Sequence, residues 1–365
     1  MKLVISDYHL NKQKDYRSFA DQEIDRTDLF PWENLRKAGK KGYMGLPIPK
    51  EFGGQGEDFL TYILLIEEIS RVCASTGVIM AVHTSVGSFP LLYFGSREQR
   101  EKYLPGLASG KLLGAFALTE AGAGSDAAAL TTGAIRVEGG YRLNGCKLFI
   151  TSGGEADIYT VFARSDKNAG SRGITAFLVE KDSIGLFPGK PEKKMGLNRS
   201  STTEIRMEDL FVPLSNRLGA EGEGFSIAMS LLDGGRTGIA AQGLGLARAS
   251  IEYAINYFKE LERAGIRTGQ NASFILADLA TRLEAAKLLT YRAAVMKEAG
   301  NRTSKEASMA KMFATDLAMD AAVKCIDLCG DNDKLSQYFC DAKATQIYEG
   351  SNQIQRIVVA REILR

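Results

Sequence analysis

The spacing of apolar residues changes twice along this chain, and no other feature limits its fold as much. Up to about residue 112 it is helical: Leu60, Ile63, Leu64, Ile66 and Ile69 share a segment with Glu67 and Glu68, which reads as a packing helix over 60–72. From about 113 to 222 the interval falls to two. Ala134-Ile135-Arg136-Val137-Glu138 and Tyr141-Arg142-Leu143-Asn144-Gly145 flank Gly139-Gly140, giving two strands and a tight turn, with further strands expected over 158–163, 174–180 and 203–207. No long helical pattern lies among them, so an antiparallel β-domain is expected, a small barrel or sandwich. From Gly224 helical spacing returns. Ile227, Leu231, Ile239 and Leu246 mark one helix, Leu279, Leu283, Ala286 and Leu289 a second, Ala310, Phe313, Leu317 and Val323 a third, and 355–364 a fourth. The fold class is α+β and multidomain: an N-terminal α-helical domain over 1–112, a middle antiparallel β-domain over 113–222 and a C-terminal four-helix bundle over 223–365.

A length of 365 residues suits two or three domains, and 45% hydrophobic with 25% charged residues are values of a soluble enzyme. The 46 Lys+Arg and 44 Asp+Glu leave a net charge of +2 with no basic patch, which argues against nucleic acid or an anionic membrane as partner. The start, Met1 to Asp7, turns polar before a signal-peptide core could form, and no charge-free apolar stretch is expected to reach membrane-spanning length; a cytoplasmic protein is expected. Five cysteines read as reduced thiols. Cys325 and Cys329 could share a helix face, with Cys340 beyond, but with only His9 and His83 in the chain no metal site is expected. His83, on the apolar segment that begins at Val78, reads as a core histidine.

Three stretches depart from plain core patterning. In Phe116-Ala117-Leu118-Thr119-Glu120-Ala121-Gly122-Ala123-Gly124-Ser125-Asp126, the glycines superficially fit a dinucleotide fingerprint, but the hairpin near Ala134 leaves no room for the helix and parallel strand that motif requires. A run of backbone N–H groups beside the Thr119 and Ser125 hydroxyls remains, an anion or flavin-edge cradle. Asp233-Gly234-Gly235-Arg236 puts two helix-weakening glycines between opposite charges, where a ligand could approach closely. Glu349 lies between Tyr348 and Gly350, where a turn could hold its carboxylate against a ligand as a general base, or where it could simply cap a helix start.

The run Tyr348-Glu349-Gly350-Ser351-Asn352-Gln353-Ile354-Gln355-Arg356 closely resembles the C-terminal signature of acyl-CoA dehydrogenases, and Thr119 to Asp126, Phe149 to Thr151 and Asp233 to Arg236 resemble other segments of that family. The resemblance implies that Glu349 removes the α-proton of an acyl thioester while the flavin of FAD takes hydride from the β-carbon. It places Phe116, Leu118, Thr119, Gly124, Ser125, Phe149, Ile150, Thr151, Ser351 and Gln353 at FAD, with Thr151 bonding flavin N5. It places Ser125, Asp233, Arg236, Tyr348 and Gly350 at the substrate. One branch of the family carries its catalytic Glu at the position of Gly235, so this chain resembles the commoner type with a C-terminal base, that of short-chain or butyryl-CoA dehydrogenases. The resemblance further implies a short or branched acyl-CoA substrate, an electron-transfer flavoprotein as partner and a homo-oligomer, dimer or tetramer. A dehydrogenase or oxidase of acyl-carrier-protein thioesters, and a member with impaired FAD binding and a non-catalytic role, stay open. Two departures bear on FAD. The family's Arg-x-x-Phe-Gly run, which holds the FAD tail of a neighbouring subunit, has no clear counterpart in 259–271, and its Gly-Gly loop is shortened at Leu328 to Asp333. Arg263 and Arg267 are either replacements at the phosphates or solvated helix-end arginines.

Overall fold

The computed structural model describes residues 5–26, 29–267 and 269–365; Met1 to Val4 of the start read above, and Thr268 within 259–271, lie outside the described residues. Helices come first: α1 (Asp7–Glu23), α2 (Trp32–Lys40), α3 (Phe59–Val72), α4 (Ala74–Val82), α5 (Phe89–Phe94) and α6 (Arg97–Ala108). Their starts are written locally. Ser6 accepts from the His9 N–H, Asp58 from that of Thr61, and Ser96 and Gln99 form a capping box that opens α6.

The packing helix expected over 60–72 is α3, and its Glu67 and Glu68 are fully buried. Arg248 reaches both of them, at 3.1 and 2.6 Å, and the Tyr291 hydroxyl donates to Glu67 at 2.5 Å, so the charges are paired inside. The expectation that no charge-free apolar stretch reaches membrane-spanning length fails. Ala74–Phe94 runs as 21 helical residues without a charge, because α4 continues through a π-helical turn, His83–Ser88, into α5; 83% of its most apolar window is buried inside the protein, which makes it a core helix. His83 is the satisfied core histidine expected: Nε2 bonds the Leu107 carbonyl at 3.1 Å, Nδ1 accepts from the Gly114 N–H at 3.2 Å, and burial pushes its pKa down to about 4.

Strands follow: β1 (Gly114–Ala117), β2 (Gly133–Val137), β3 (Gly140–Thr151), β4 (Ile158–Arg164), β5 (Ile174–Glu180), β6 (Leu186–Pro188), β7 (Thr202–Pro213) and β8 (Arg217–Leu218). They form one sheet in the order β6-β7-β3-β2-β4-β5-β8, with β1 on β4. Pairing is antiparallel except where β1 and the end of β2 meet β4. The β2–β3 hairpin turns at Gly139, φ +76°, a conformation that suits glycine. β4 and β5 are buried on both faces: Tyr159, Val161 and Ala163 join the β-domain's own core, while Ile158 and Phe162 join the helical core. Hence these strands are nearly unbroken in apolar residues whereas β2 and β3 alternate.

The chain then returns to helix in α7 (Gly224–Arg263), α8 (Gln270–Glu298), α9 (Ser304–Cys329), α10 (Asp333–Thr345) and α11 (Asn352–Ile363). α7 packs on α9, α8 and α3 and so joins the two helical parts. The expected four helices are α7, α8, α9 and α11. α10 is additional: the segment read as a shortened loop is only the break at Gly330, φ +80°, after which Asn332 accepts from the Leu335 N–H and starts a new helix. Within 115–129 the only helical piece is a single turn, Ala127–Ala129, as expected from the lack of room for a dinucleotide crossover.

Candidate active site

Between α10 and α11 the chain turns in front of α7 and α9, and Glu349 stands at the apex. Its φ is +53° and that of Gly350 is +85°, two successive left-handed residues; for a residue with a Cβ this costs of the order of 1–3 kcal/mol and persists only where the surroundings impose it. Here they do. The Gly350 carbonyl accepts from Lys311 Nζ at 2.9 Å and from Gln355 Nε2 at 2.7 Å, and Gln355 Nε2 also reaches the Glu349 carbonyl at 3.3 Å. Asn352, fully inside, accepts from Lys311 at 2.9 Å and donates to Thr315 Oγ1 at 2.9 Å and Asp316 Oδ1 at 2.7 Å.

The Glu349 carboxylate is thereby laid on α7 at Gly235: a Cβ at Gly235 would stand 2.8 Å from Oε2. Oε2 is buried and has no hydrogen-bond partner among the described residues. Burial pushes the Glu349 pKa up to about 7, against the pull of Arg236 and Lys311. Arg236 is itself held by Asp233 at 2.9 Å, whose second oxygen accepts from Ser304 at 2.6 Å. The Tyr348 hydroxyl donates to Gln242, which in turn donates to the Ala74 carbonyl at 2.9 Å.

A second group forms where the segment after β1 meets the end of β3. Leu148 N–H donates to the Thr119 carbonyl at 2.8 Å, and beneath them Lys147, with no exposed surface, donates to the Leu118 carbonyl at 3.1 Å and to Glu120 at 2.7 Å. Burial opposes the Glu120 charge, but Lys147 and the N–H groups of Thr131 and Thr132 outweigh it and hold the carboxyl at about 2; burial brings Lys147 down to about 8. Above this pair the surface is unfilled. The Thr119, Ser125 and Thr151 hydroxyls make no hydrogen bond among the described residues, and a Cβ at Gly122 or Gly124 would meet nothing within 4 Å. Phe149, φ +57°, stands 64% exposed at the irregularity in β3.

Three family models match the chain in order: acyl-CoA dehydrogenase N-terminal domain over 8–111, middle domain over 115–210 and C-terminal domain over 222–364. An acyl-CoA dehydrogenase of Bacillus subtilis (strain 168) is 50% identical over 366 residues, covering 96% of this chain and 97% of that one. The chain belongs to the acyl-CoA dehydrogenase family. Two solved structures agree over the full length of both chains. A chain described under the electron transferring flavoprotein of Acidaminococcus fermentans superposes with TM-score 0.97 at 42% identity, and butyryl-CoA dehydrogenase from Megasphaera elsdenii with TM-score 0.95 at 37%.

In this acyl-CoA dehydrogenase the expected site residues fall into the two groups just described. Glu349, Tyr348, Gly350, Asp233 and Arg236 meet where α7, α9 and the turn converge; Phe116, Leu118, Thr119, Gly124, Ser125, Phe149, Ile150 and Thr151 lie along the β-segments. Not all can use their side chains on a ligand. Leu118 and Ile150 are buried in the protein's own cores, so only their backbones are offered outward. The Ser351 hydroxyl caps α11, accepting from the Ile354 N–H at 3.5 Å, while Gln353 is exposed on that helix. Sequence reasoning missed Lys311, Asn352, Gln355, Gln242, Lys147 and Glu120, which hold these groups in place. A signal for Lys311 was present: one lysine among Ala307, Ser308, Ala314 and Thr315 at helical spacing, small residues that leave room for an inward stem.

Proposed function

We propose that this acyl-CoA dehydrogenase oxidises short or branched acyl-CoA to the trans-2-enoyl thioester, with Glu349 as the general base and FAD as its cofactor. The observation that carries the reading is the enclosed, unpartnered Oε2 of Glu349, pressed against a helix glycine and poised near neutrality. A general base works best with a pKa close to working pH, and burial brings this carboxylate there. The residues present fit a flavin: Thr119, Ser125 and Thr151 have hydroxyls to offer, Gly122 and Gly124 leave open space, and Phe149 projects beside them. When bound, FAD accepts the hydride from the substrate β-carbon. Glu349 takes the α-proton on Oε2, and its backbone N–H, which donates to no group among the described residues, is available for the thioester carbonyl as negative charge develops there. Asp233 and Arg236 stand paired on α7 next to Gly235, and the Tyr348 ring packs against the helical core.

Similarity to butyryl-CoA dehydrogenase supports a short acyl group, and similarity to the Acidaminococcus chain supports an electron-transfer flavoprotein as acceptor. Phe274, Leu288 and Val295, exposed along α8, support a homo-oligomer, dimer or tetramer. We keep 1–112, 113–222 and 223–365 as the domain limits and the cytoplasm as location. Glu349→Gln tests the reading because it preserves shape and removes basicity. FAD and thioester binding should persist while kcat/KM falls by several orders of magnitude, and activity within tenfold of the parent enzyme would refute the assignment.

A further inference from the structure

Lys311 is a fully buried lysine whose pKa burial lowers to about 7 against the pull of Glu349 and Asp316, and its two hydrogen-bond acceptors are both neutral, the Gly350 carbonyl and Asn352 Oδ1, each at 2.9 Å. Removing an ammonium from water costs several kcal/mol, and an amide side chain could donate to those oxygens without that cost. A lysine here therefore needs a reason that an amide would not meet. Its surroundings supply one. The charged and titratable groups facing Lys311 are Glu349 on the turn, Asp316 on α9 and Arg236 on α7; those facing Glu349 are Lys311, Arg236, Tyr348 beside it and Tyr62 on α3. Asp316 is already engaged by Asn352, Gln346 and Arg356, and Arg236 by Asp233. The carboxylate of Glu349, with Oε2 unpartnered, is what remains for the ammonium to act upon.

We propose that Lys311 is a positioning residue for the reaction: its ammonium pins the left-handed Glu349-Gly350 turn through the Gly350 carbonyl, and its charge keeps the Glu349 carboxylate ionised until the α-proton arrives. The inference rests on Glu349 being the base. The sign of the effect is set by electrostatics. Loss of a neighbouring cation disfavours the carboxylate, its proton affinity rises, and the acid limb of the pH profile moves to higher pH.

The test uses the FAD-loaded enzyme with butyryl-CoA as probe and the variants Lys311→Met, Lys311→Gln and Lys311→Arg. Lys311→Met should move the acid limb of kcat/KM up by about one pH unit and lower kcat about tenfold, with KM within about twofold. Lys311→Gln, which keeps a donor to Gly350, should recover part of kcat but leave the limb displaced; Lys311→Arg should return the limb towards its original place. A readout independent of turnover is the infrared C=O band of the Glu349 carboxyl, assigned by its disappearance in Glu349→Gln, which should titrate with the same displacement. Folded, flavin-loaded Met and Gln variants with an unmoved limb and an unmoved band would overturn the proposal. If Lys311→Met does not fold, Lys311→Gln carries the same prediction. Should Glu349→Gln stay active, the base assignment falls, while the infrared titration still reports whether Lys311 governs that carboxylate.

Discussion

At the Glu349 turn the carbonyls of Glu349 and Gly350, the amides of Asn352 and Gln355 and the amine of Lys311 are bonded to one another, and of the buried side-chain oxygens there Glu349 Oε2 and Gln355 Oε1 are left without a partner among the described residues. On the β-segments 116–126 and 147–151 the balance is reversed. There one buried ion pair, Lys147 with Glu120, holds the backbone from below, and the hydroxyls of Thr119, Ser125 and Thr151 are left over. The first region is finished before any ligand arrives, which suits a base that must sit within a fraction of an ångström of its proton. The second presents unsatisfied groups on a fixed frame, which suits a surface completed by a large cofactor. Strain follows the same division: Glu349 pays its left-handed penalty inside a network that imposes it, whereas Phe149, also left-handed, is exposed at a strand irregularity.

The largest expected effect separates the regions outright. Glu349→Gln should remove turnover by several orders of magnitude yet leave flavin absorbance intact; a colourless variant would mean that turn and flavin surface are not independent. Next, Lys147→Met leaves Glu120 without its cation and should cost about 3 kcal/mol of stability in the β-domain, read as an earlier unfolding transition with FAD lost before the helical parts melt. A single unchanged transition would show that the pair does not support that surface. The pH profile comes third. The Glu349 pKa is raised to about 7, the base acts only when deprotonated, and so kcat/KM should fall about tenfold per unit below that pH and level off above it; a limb near the ordinary carboxylate value would contradict the enclosed geometry.

A smaller effect probes the meeting of the turn with α7. Because a Cβ at Gly235 would touch Glu349 Oε2, Gly235→Glu with Glu349→Gly should return at least about tenfold activity over Glu349→Gly alone, provided circular dichroism shows a folded protein. The smallest effect concerns the FAD tail. If 259–271 and the break at Gly330 offer no grip across subunits, FAD should leave on dialysis and its return at about 100 Kd should add about 2.7 kcal/mol, seen as a raised melting temperature. One FAD per chain surviving dialysis, unchanged in Arg263→Ala with Arg267→Ala, would place the grip elsewhere.

Read in order, the residues of this chain were enough for the helix–β–helix plan, because each of those parts buries one face and so writes its period into local spacing. They also marked Glu349, Gly235 and Thr151, since a glycine beside a chemically active residue shows in a short window, and resemblance supplied their roles. Tertiary structure alone decided the rest. That Glu67 and Glu68 lie inside depends on Arg248, about 180 residues away, and no local pattern carries that pairing. The membrane-length run Ala74–Phe94 is a core helix only because other elements cover it. Above all, Glu349 differs from an ordinary helix-start glutamate through Lys311 on one helix and Gly235 on another, because desolvation and neighbouring charge, which set a carboxylate's proton affinity, arise only when distant segments pack together.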